Sequence, residues 1–360
     1  MKITRVQTTR HVTPFFESFK VSYGLQEYSE HVILKLSTDD RTEGLGDATP
    51  LWFFTGETVE SVEHVIEMLK PQILGMDPFD GERTLGVMNT LSKNPSAKSS
   101  VEMAIYDLRA RSLGIPVWKL LGGKIRSEIR ASGGIGVKPK DQTVKAATRL
   151  LENGLTAFKL KVIGDPEGEA ERIRAVRDAV GKSVTLRIDA NGAYSSRRAV
   201  DLAKRVSACD LEYFEQPVRG DDIQGLREVR DSIDFQVMAD ESVFTSRDAM
   251  RIIEERAADI VGVKFAKCGG ISASRGIIEV CRSAGVPCIF ISAFETWIGI
   301  SANVHVIASS DNIIDANDLA LWTIQHDDPA SPLEHTGGRI KVPDGPGLGV
   351  RMTGAQNDDQ

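Results

Sequence analysis

Three acids and three lysines stand in this sequence where they could act together on one small molecule. Lys159 and Lys161 close the run AFKLK, Asp189 closes TLRID, Glu215 closes LEYFE, and Asp240 and Lys264 follow QVMA and IVGV. From Lys161 onward one charged residue recurs every 24 to 28 positions. Carboxylates that converge raise one another's pKa unless a cation neutralises them, so Asp189, Glu215 and Asp240 imply a bound metal. A donor set made only of hard oxygens selects magnesium, one ion per chain, with manganese as the alternative. Lys161 and Lys264 would then face each other across the metal. Two amines flanking a metal-bound carboxylate can take a proton from one face of an α-carbon and return it to the other. Such an amine works best with its pKa lowered toward about 7 to 8, which burial, the metal and the neighbouring Lys159 are expected to promote. Coordination of the substrate carboxylate would stabilise the enediolate. Singly, each acid reads as a helix cap and each lysine as a solvated surface residue; the set is what points to a site.

A repeated unit positions them. Strands are expected at 129–135, 157–162, 184–188, 211–214, 236–239, 260–265, 287–291 and 312–314. Helices are expected at 142–152, 166–180, 196–206, 223–229, 246–256, 272–283 and 298–308. Such alternation means right-handed βαβ units and a parallel sheet, and eight strands suggest a closed barrel with its chemistry at the C-terminal strand ends. Gly133, Gly134 and Gly136 do not spell GxGxxG, which argues against an open dinucleotide-binding sheet. The N-terminal part has another character, with strands expected at 4–10 and 31–37 and helices at 59–70 and 97–113. The predicted division is an α+β domain over 1–125, a barrel over 126–330, and a turn-rich segment over 331–360 that returns to the first domain.

Composition narrows the partners. The chain has 360 residues, 44 Lys+Arg, 51 Asp+Glu and a net charge of −7. No basic block offers the footprint that nucleic acid needs. No apolar run nears the roughly 18 residues of a membrane span, and the start lacks a signal-peptide core. The expectation is a cytoplasmic enzyme acting on a small carboxylate, with no nucleic acid or membrane partner. Four irregularly spaced cysteines without a CxxC pair read as reduced packing residues.

Specific motifs sharpen this reading: KLK at 159–161, DAN at 189–191, EQP at 215–217, ADES at 239–242 and VKFAKCGGIS at 263–272, with TGET at 55–58 and GPGLG at 345–349. Together they resemble the enolase superfamily, in its muconate-lactonizing-enzyme subgroup, which also holds dipeptide epimerases, N-acylamino acid racemases and o-succinylbenzoate synthases. The resemblance implies a modified TIM barrel, (β/α)7β, under an N-terminal α+β capping domain, in a homo-oligomer. It implies Asp189, Glu215 and Asp240 as metal ligands with Asn191 behind them, Lys161 and Lys264 as acid/base groups, and Lys159 as their modulator. Lys267 shares the motif but does not match the catalytic position. Capping loops over 19–26 and 50–57 would bring Tyr23, Phe53 and Phe54 to the substrate. Phe294 and Glu295 follow the seventh strand, Glu295 either donating a hydrogen bond to the enolate or starting the next helix.

No histidine stands at the seventh strand end, which disfavours a mandelate-racemase-like His/Lys pair. His305, inside a predicted helix, reads as packing. Dipeptide epimerases carry DxD on the eighth strand to hold the substrate ammonium. Here the run is IIDANDLALW, so Asp315 and Asp318 are offset, although either could meet a cationic nitrogen. The expected activity is a magnesium-dependent racemase or epimerase of an amino acid derivative or dipeptide. A muconate-type cycloisomerase is the alternative, followed by o-succinylbenzoate-synthase-like dehydration and, last, a non-catalytic binding protein.

Overall fold

A computed structural model describes residues 1–353. The first third of the chain forms an antiparallel sheet, β1 (Ile3–Val21), β2 (Gly24–Thr38) and β3 (Glu43–Ala48), in the order β1-β2-β3. Helices α1 (Val59–Ile73), α2 (Gly81–Asn89), α3 (Pro95–Ser112) and α4 (Val117–Leu120) follow. The strand expected at 4–10 is thus only part of a 19-residue strand. Its second half was hidden because Pro14 and a register shift between Pro14 and Phe19 break the alternation there. In α1, Val62, Ile66, Leu69 and Ile73 make one buried stripe, and Thr58 and Ser61 cap its start reciprocally. Helix α3 lies unusually close to β3: a Cβ on Gly46 would sit 1.9 Å from the Ser100 carbonyl oxygen, so only glycine fits.

The remainder alternates. The elements are β4 (Glu128–Arg130), β5 (Gly133–Ile135), α5 (Lys140–Glu152), β6 (Ala157–Lys161), α6 (Pro166–Val180), β7 (Thr185–Asp189), α7 (Ser196–Arg205), β8 (Leu211–Glu215), α8 (Ile223–Ser232), β9 (Gln236–Ala239), α9 (Ser246–Glu254), β10 (Ile260–Val263), α10 (Phe265–Cys268), α11 (Ile271–Ser283), β11 (Cys288–Phe290) and α12 (Trp297–Ala308). Strands β5 to β11 form one parallel sheet in sequence order.

That sheet is closed by a stretch that is not a regular strand. Isolated bridges join Ile313 to Cys288 and Asp318 to Ile291 on one side, and Asn317 to Ala131 on the other. The single strand expected at 129–135 is two elements. β4 leaves the barrel to pair with β13 (Arg339–Lys341), which also pairs with β12 (His335–Thr336). The segment after residue 330 also touches the first domain. Leu348 N–H donates to Asp107 Oδ1 at 2.7 Å, and Arg111 donates to the Val350 carbonyl at 2.9 Å. Residues 354–360 of the predicted tail lie outside the described residues.

Alternation along each strand sorts the side chains. Outward residues pack under the helices, while Tyr213, Met238, Ile260, Ile289 and Ile291 make an apolar plug inside the barrel. The four cysteines are free, and Cys209, Cys281 and Cys288 are buried. No helix among the described residues is long and apolar enough to cross a membrane.

Candidate active site

Strand register assembles the polar end of the barrel. Lys161 is the Cα partner of Asp189 across β6 and β7, and Asp189 is the partner of Glu215 across β7 and β8, so three charged side chains stand abreast. Asp240 follows β9 and Lys264 follows β10, because each strand stops one residue short of its charge. The two lysines therefore flank an arc of three carboxylates, separated by β7, β8 and β9. Lys159, Lys161, Glu215, Asp240 and Lys264 line one cavity of about 740 Å³, measured to its open mouth.

The carboxylates are buried and matched by ammonium groups. Lys161 Nζ donates to Asp189 Oδ2 at 2.5 Å and to Asn191 Oδ1 at 2.8 Å. Lys159 Nζ donates to Glu215 Oε2 at 2.7 Å and to Asp318 Oδ2 at 2.5 Å. Lys264 Nζ lies 3.1 Å from Asp240 Oδ2 and 4.6 Å from the centre of the Phe54 ring. Lys267, which is fully buried, donates to Asp240 Oδ1 and to its main-chain oxygen at 2.7 and 2.6 Å, so it holds that acid and does not face the cavity.

The electrostatics fit a cation. Burial pushes Glu215 well above the usual carboxylate range, and the charges of Asp189 and Asp240 add to it against Lys159. Burial would also raise Asp189 and Asp240, but the adjacent lysines outweigh it and hold both below their ordinary values. Glu215, raised by two neighbouring acids, is the carboxylate still short of positive charge, and an oxygen-only donor set suits a hard divalent ion such as magnesium. The carboxylates act in turn on two of the lysines. Burial acts to lower Lys264, yet Asp240, Glu241 and Glu215 outweigh it and hold the amine above its ordinary value, and Asp318, Glu215 and Asp189 do the same more strongly to Lys159. Carboxylates, omitted when the lysines were considered alone, decide the sign.

The apolar part of the cavity comes from both domains. Tyr23, Phe53 and Phe54 line it from the cap, joined by Phe19 and Val21 of β1 and by Leu51. Tyr23 stacks on Phe53 at 5.2 Å, and Phe54 stacks on Phe244 at 5.6 Å. Phe294, at a left-handed φ of 66°, packs against Phe15 and Phe19 and lines the opposite wall.

Two expected substrate-contacting residues lie elsewhere. Asp318 lines the cavity, but Asp315, on the other side of the left-handed residue Ala316, points out, with its side chain 68 % exposed and paired to Arg130 at 3.3 Å. Glu295 is buried at the loop before α12, where Oε2 accepts from Ser292 and from Ala293 N–H. It closes its own turn and does not line the cavity.

Two contributors had been overlooked. Arg187, on the inner face two residues before Asp189, is fully buried. It donates to Glu212 at 2.5 Å and to the Ala316 carbonyl at 2.7 Å, lies 3.5 Å from Asp318 Oδ1, and covers the Tyr213 ring. The same two-residue step that joins Lys159 to Lys161 could have found it. Glu241, within the quoted ADES motif, accepts from Tyr23 Oη at 2.8 Å and from Asn191 Nδ2 at 2.9 Å. Its carboxyl is pushed up to about 7, by burial first and then by Asp240 and Asp189.

Comparison with known proteins identifies the family. Residues 2–122 match the model of the mandelate racemase / muconate lactonizing enzyme N-terminal domain, and residues 142–356 match the enolase C-terminal domain-like model. The chain is 35% identical over 355 residues to the L-Ala-D/L-Glu epimerase of Bacillus subtilis, covering 97% of each protein. It is 30% identical over 355 residues to the N-succinyl-L-Arg/Lys racemase of Bacillus cereus, covering 98% of this chain and 96% of that one. The crystal structure of a dipeptide epimerase from Enterococcus faecalis, complexed with Mg and the dipeptide L-Leu-L-Tyr, superposes with a TM-score of 0.94 at 30% identity, over 97% of this chain and 99% of that chain.

Proposed function

This chain belongs to the mandelate racemase / muconate lactonizing enzyme family and is an isomerase, and from that premise we propose that it is a magnesium-dependent racemase or epimerase of an amino acid derivative or dipeptide. Asp189, Glu215 and Asp240 would hold one magnesium ion per chain. When bound, the ion supplies the positive charge that offsets negative charge building on the substrate carboxylate as the α-proton leaves. Lys161 removes that proton from one face and Lys264 delivers one to the other; for the opposite enantiomer the roles exchange. Phe19, Phe53, Phe54 and Phe294 exclude water from the reacting carbon. The observation that carries this reading is the pair of lysines on opposite flanks of a three-carboxylate arc, both opening into one cavity under an apolar lid.

Both substrate classes carry an amide N–H at the reacting carbon; what separates them is the free ammonium of a dipeptide, which this cavity is poorly equipped to hold. Asp318 is compensated before any substrate arrives, with Oδ2 bonded to Lys159 and Oδ1 3.5 Å from Arg187. Two positions on, where a second acid would strengthen the hold on an ammonium, stands Ala320.

Incubation in deuterated water with N-acyl amino acids, dipeptides and muconate tests the reading. Deuterium at the α-carbon with inversion is expected, with N-acyl amino acids turned over fastest. Lactone formation without inversion would make the protein a cycloisomerase, and full turnover by both Lys161→Ala and Lys264→Ala would refute the two-lysine mechanism.

A further inference from the structure

The turn between β1 and β2 reaches over the barrel mouth and touches it at two points. Ser22 Oγ donates to the Asn191 carbonyl at 3.0 Å, and Tyr23 Oη donates to Glu241 Oε1 at 2.8 Å. The same Glu241 oxygen accepts from Asn191 Nδ2 at 2.9 Å, and Asn191 Oδ1 accepts from Lys161 Nζ at 2.8 Å. A carboxylate can only accept and an ammonium can only donate, so the asparagine amide has one admissible orientation between them. Its backbone is pinned as well, at a φ of 43° with its N–H on Asp189 Oδ1 at 2.8 Å. Lys264 has no part in this chain of contacts; it meets Asp240 and the face of Phe54.

We propose that Tyr23 and Glu241 are positioning residues for Lys161: with the β1–β2 turn seated, they fix the Asn191 amide and through it the direction of the Lys161 amine. The Tyr23 hydroxyl thereby acts on Lys161 through hydrogen bonds, whereas Lys264 meets the cap only through the face of Phe54. The inference rests on the two-lysine reading above. Glu241 touches no reacting atom in this scheme, and the Tyr23 hydroxyl is committed to Glu241 while its ring lines the cavity.

Single-base variants separate the two faces. In deuterated water Lys264→Ala leaves Lys161 as the only exchanging amine, and Lys161→Ala leaves Lys264; each should exchange the α-proton of one enantiomer with retention. Tyr23→Phe keeps the stack on Phe53 and removes only the hydroxyl. Added to Lys264→Ala, it is expected to slow exchange about tenfold; added to Lys161→Ala, it should change exchange less than about twofold. Equal slowing in both backgrounds, or none in either, overturns the proposal. If the single-base variants exchange neither enantiomer, the two-lysine reading fails, and the positioning claim is then decided without turnover. Amine labelling followed by peptide mass spectrometry should show Lys161 modified about threefold faster in Tyr23→Phe with Lys264 unchanged, since the Asn191 amide that accepts from the lysine is held less firmly; an unchanged Lys161 rate overturns it.

Discussion

At the scale of single residues, the cavity combines a fixed polar end with a replaceable apolar one. Lys159, Asp318 and Arg187 are bonded to one another beneath the reacting groups, whereas Ala320 contributes only a methyl group to the wall. Ala320→Asp would place a second carboxylate in the cavity wall two residues from Asp318. The expected result is a shift of kcat/KM toward dipeptides with a free ammonium and away from N-acyl amino acids, by about tenfold in the ratio. Steady-state kinetics on one substrate of each class measures it, and an unchanged ratio means that Asp318 does not face the substrate nitrogen. Parity explains what could be read at this scale. Lys159 and Lys161, or Arg187 and Asp189, share a face because they are two apart, whereas Asp315 and Asp318 are parted by the left-handed Ala316 in a run that is not a regular strand. Glu295 eluded it because it lies in a loop, where no period applies. The contact between Tyr23 and Glu241 joins residues 218 apart, and no local pattern carries that information.

At the scale of elements, the helical and strand periods located every barrel unit, and the departures have identifiable causes. Lys264 lies just past β10 because the chain turns at once into α10, a helix of four residues. The last run of the barrel was expected as a strand at 312–314, and it extends as bridges to Asp318 because Ala316 takes a left-handed φ of 61°. Helix α12 is apolar on every side, and its one ring nitrogen pair shows how such a helix is anchored. His305 accepts the Trp118 N–H at Nδ1 (3.2 Å) and sits 3.2 Å from the Leu348 carbonyl through Nε2, a pattern that only the neutral imidazole satisfies. Burial lowers its pKa from 6.5 to about 4. A depressed histidine contributes stability that is fully present above pH 6.5, where neither state binds the proton, and that is lost as pH falls toward 4, where the unfolded chain is protonated first. The loss is about 3 kcal/mol over that window. Urea midpoints at pH 7, 5.5 and 4 should fall accordingly, and His305→Gln should have a visibly flatter profile; parallel profiles would assign the acid sensitivity to other groups.

At the scale of the whole molecule, two domains are joined by buried polar contacts as well as by the lid. Asp47, at the end of β3, accepts from Thr296 N–H and Oγ1, both at 2.8 Å, and from His31 at 3.2 Å. It thus ties the first domain to the start of α12 and to the loop that carries Phe294. Asp47→Ala leaves buried donors unpaired, which should cost about 3 kcal/mol. It should also raise KM, because the Phe294 wall loses its support. Urea unfolding together with substrate titration measures both, and a variant with lowered stability and wild-type KM would show that the tie is structural only. The barrel order was legible from the helical and strand periods, whereas the contact between Asp47 and Thr296 was not, since they are 249 positions apart.

The closing seam of the barrel has a consequence of its own. Between Ile313 and Asp318 the wall is held by main-chain bridges to Cys288, Ile291 and Ala131 and by side chains, with Arg187 on the Ala316 carbonyl and Asn317 Oδ1 on the Phe290 N–H. Ala320, whose methyl group takes no part in these bonds, can therefore be exchanged with little change in what keeps the barrel shut, whereas Asp318 is the counter-charge of buried Lys159 and Arg187. A lineage bearing this seam can try new substrates at a position where failure of the trial does not entail loss of the fold.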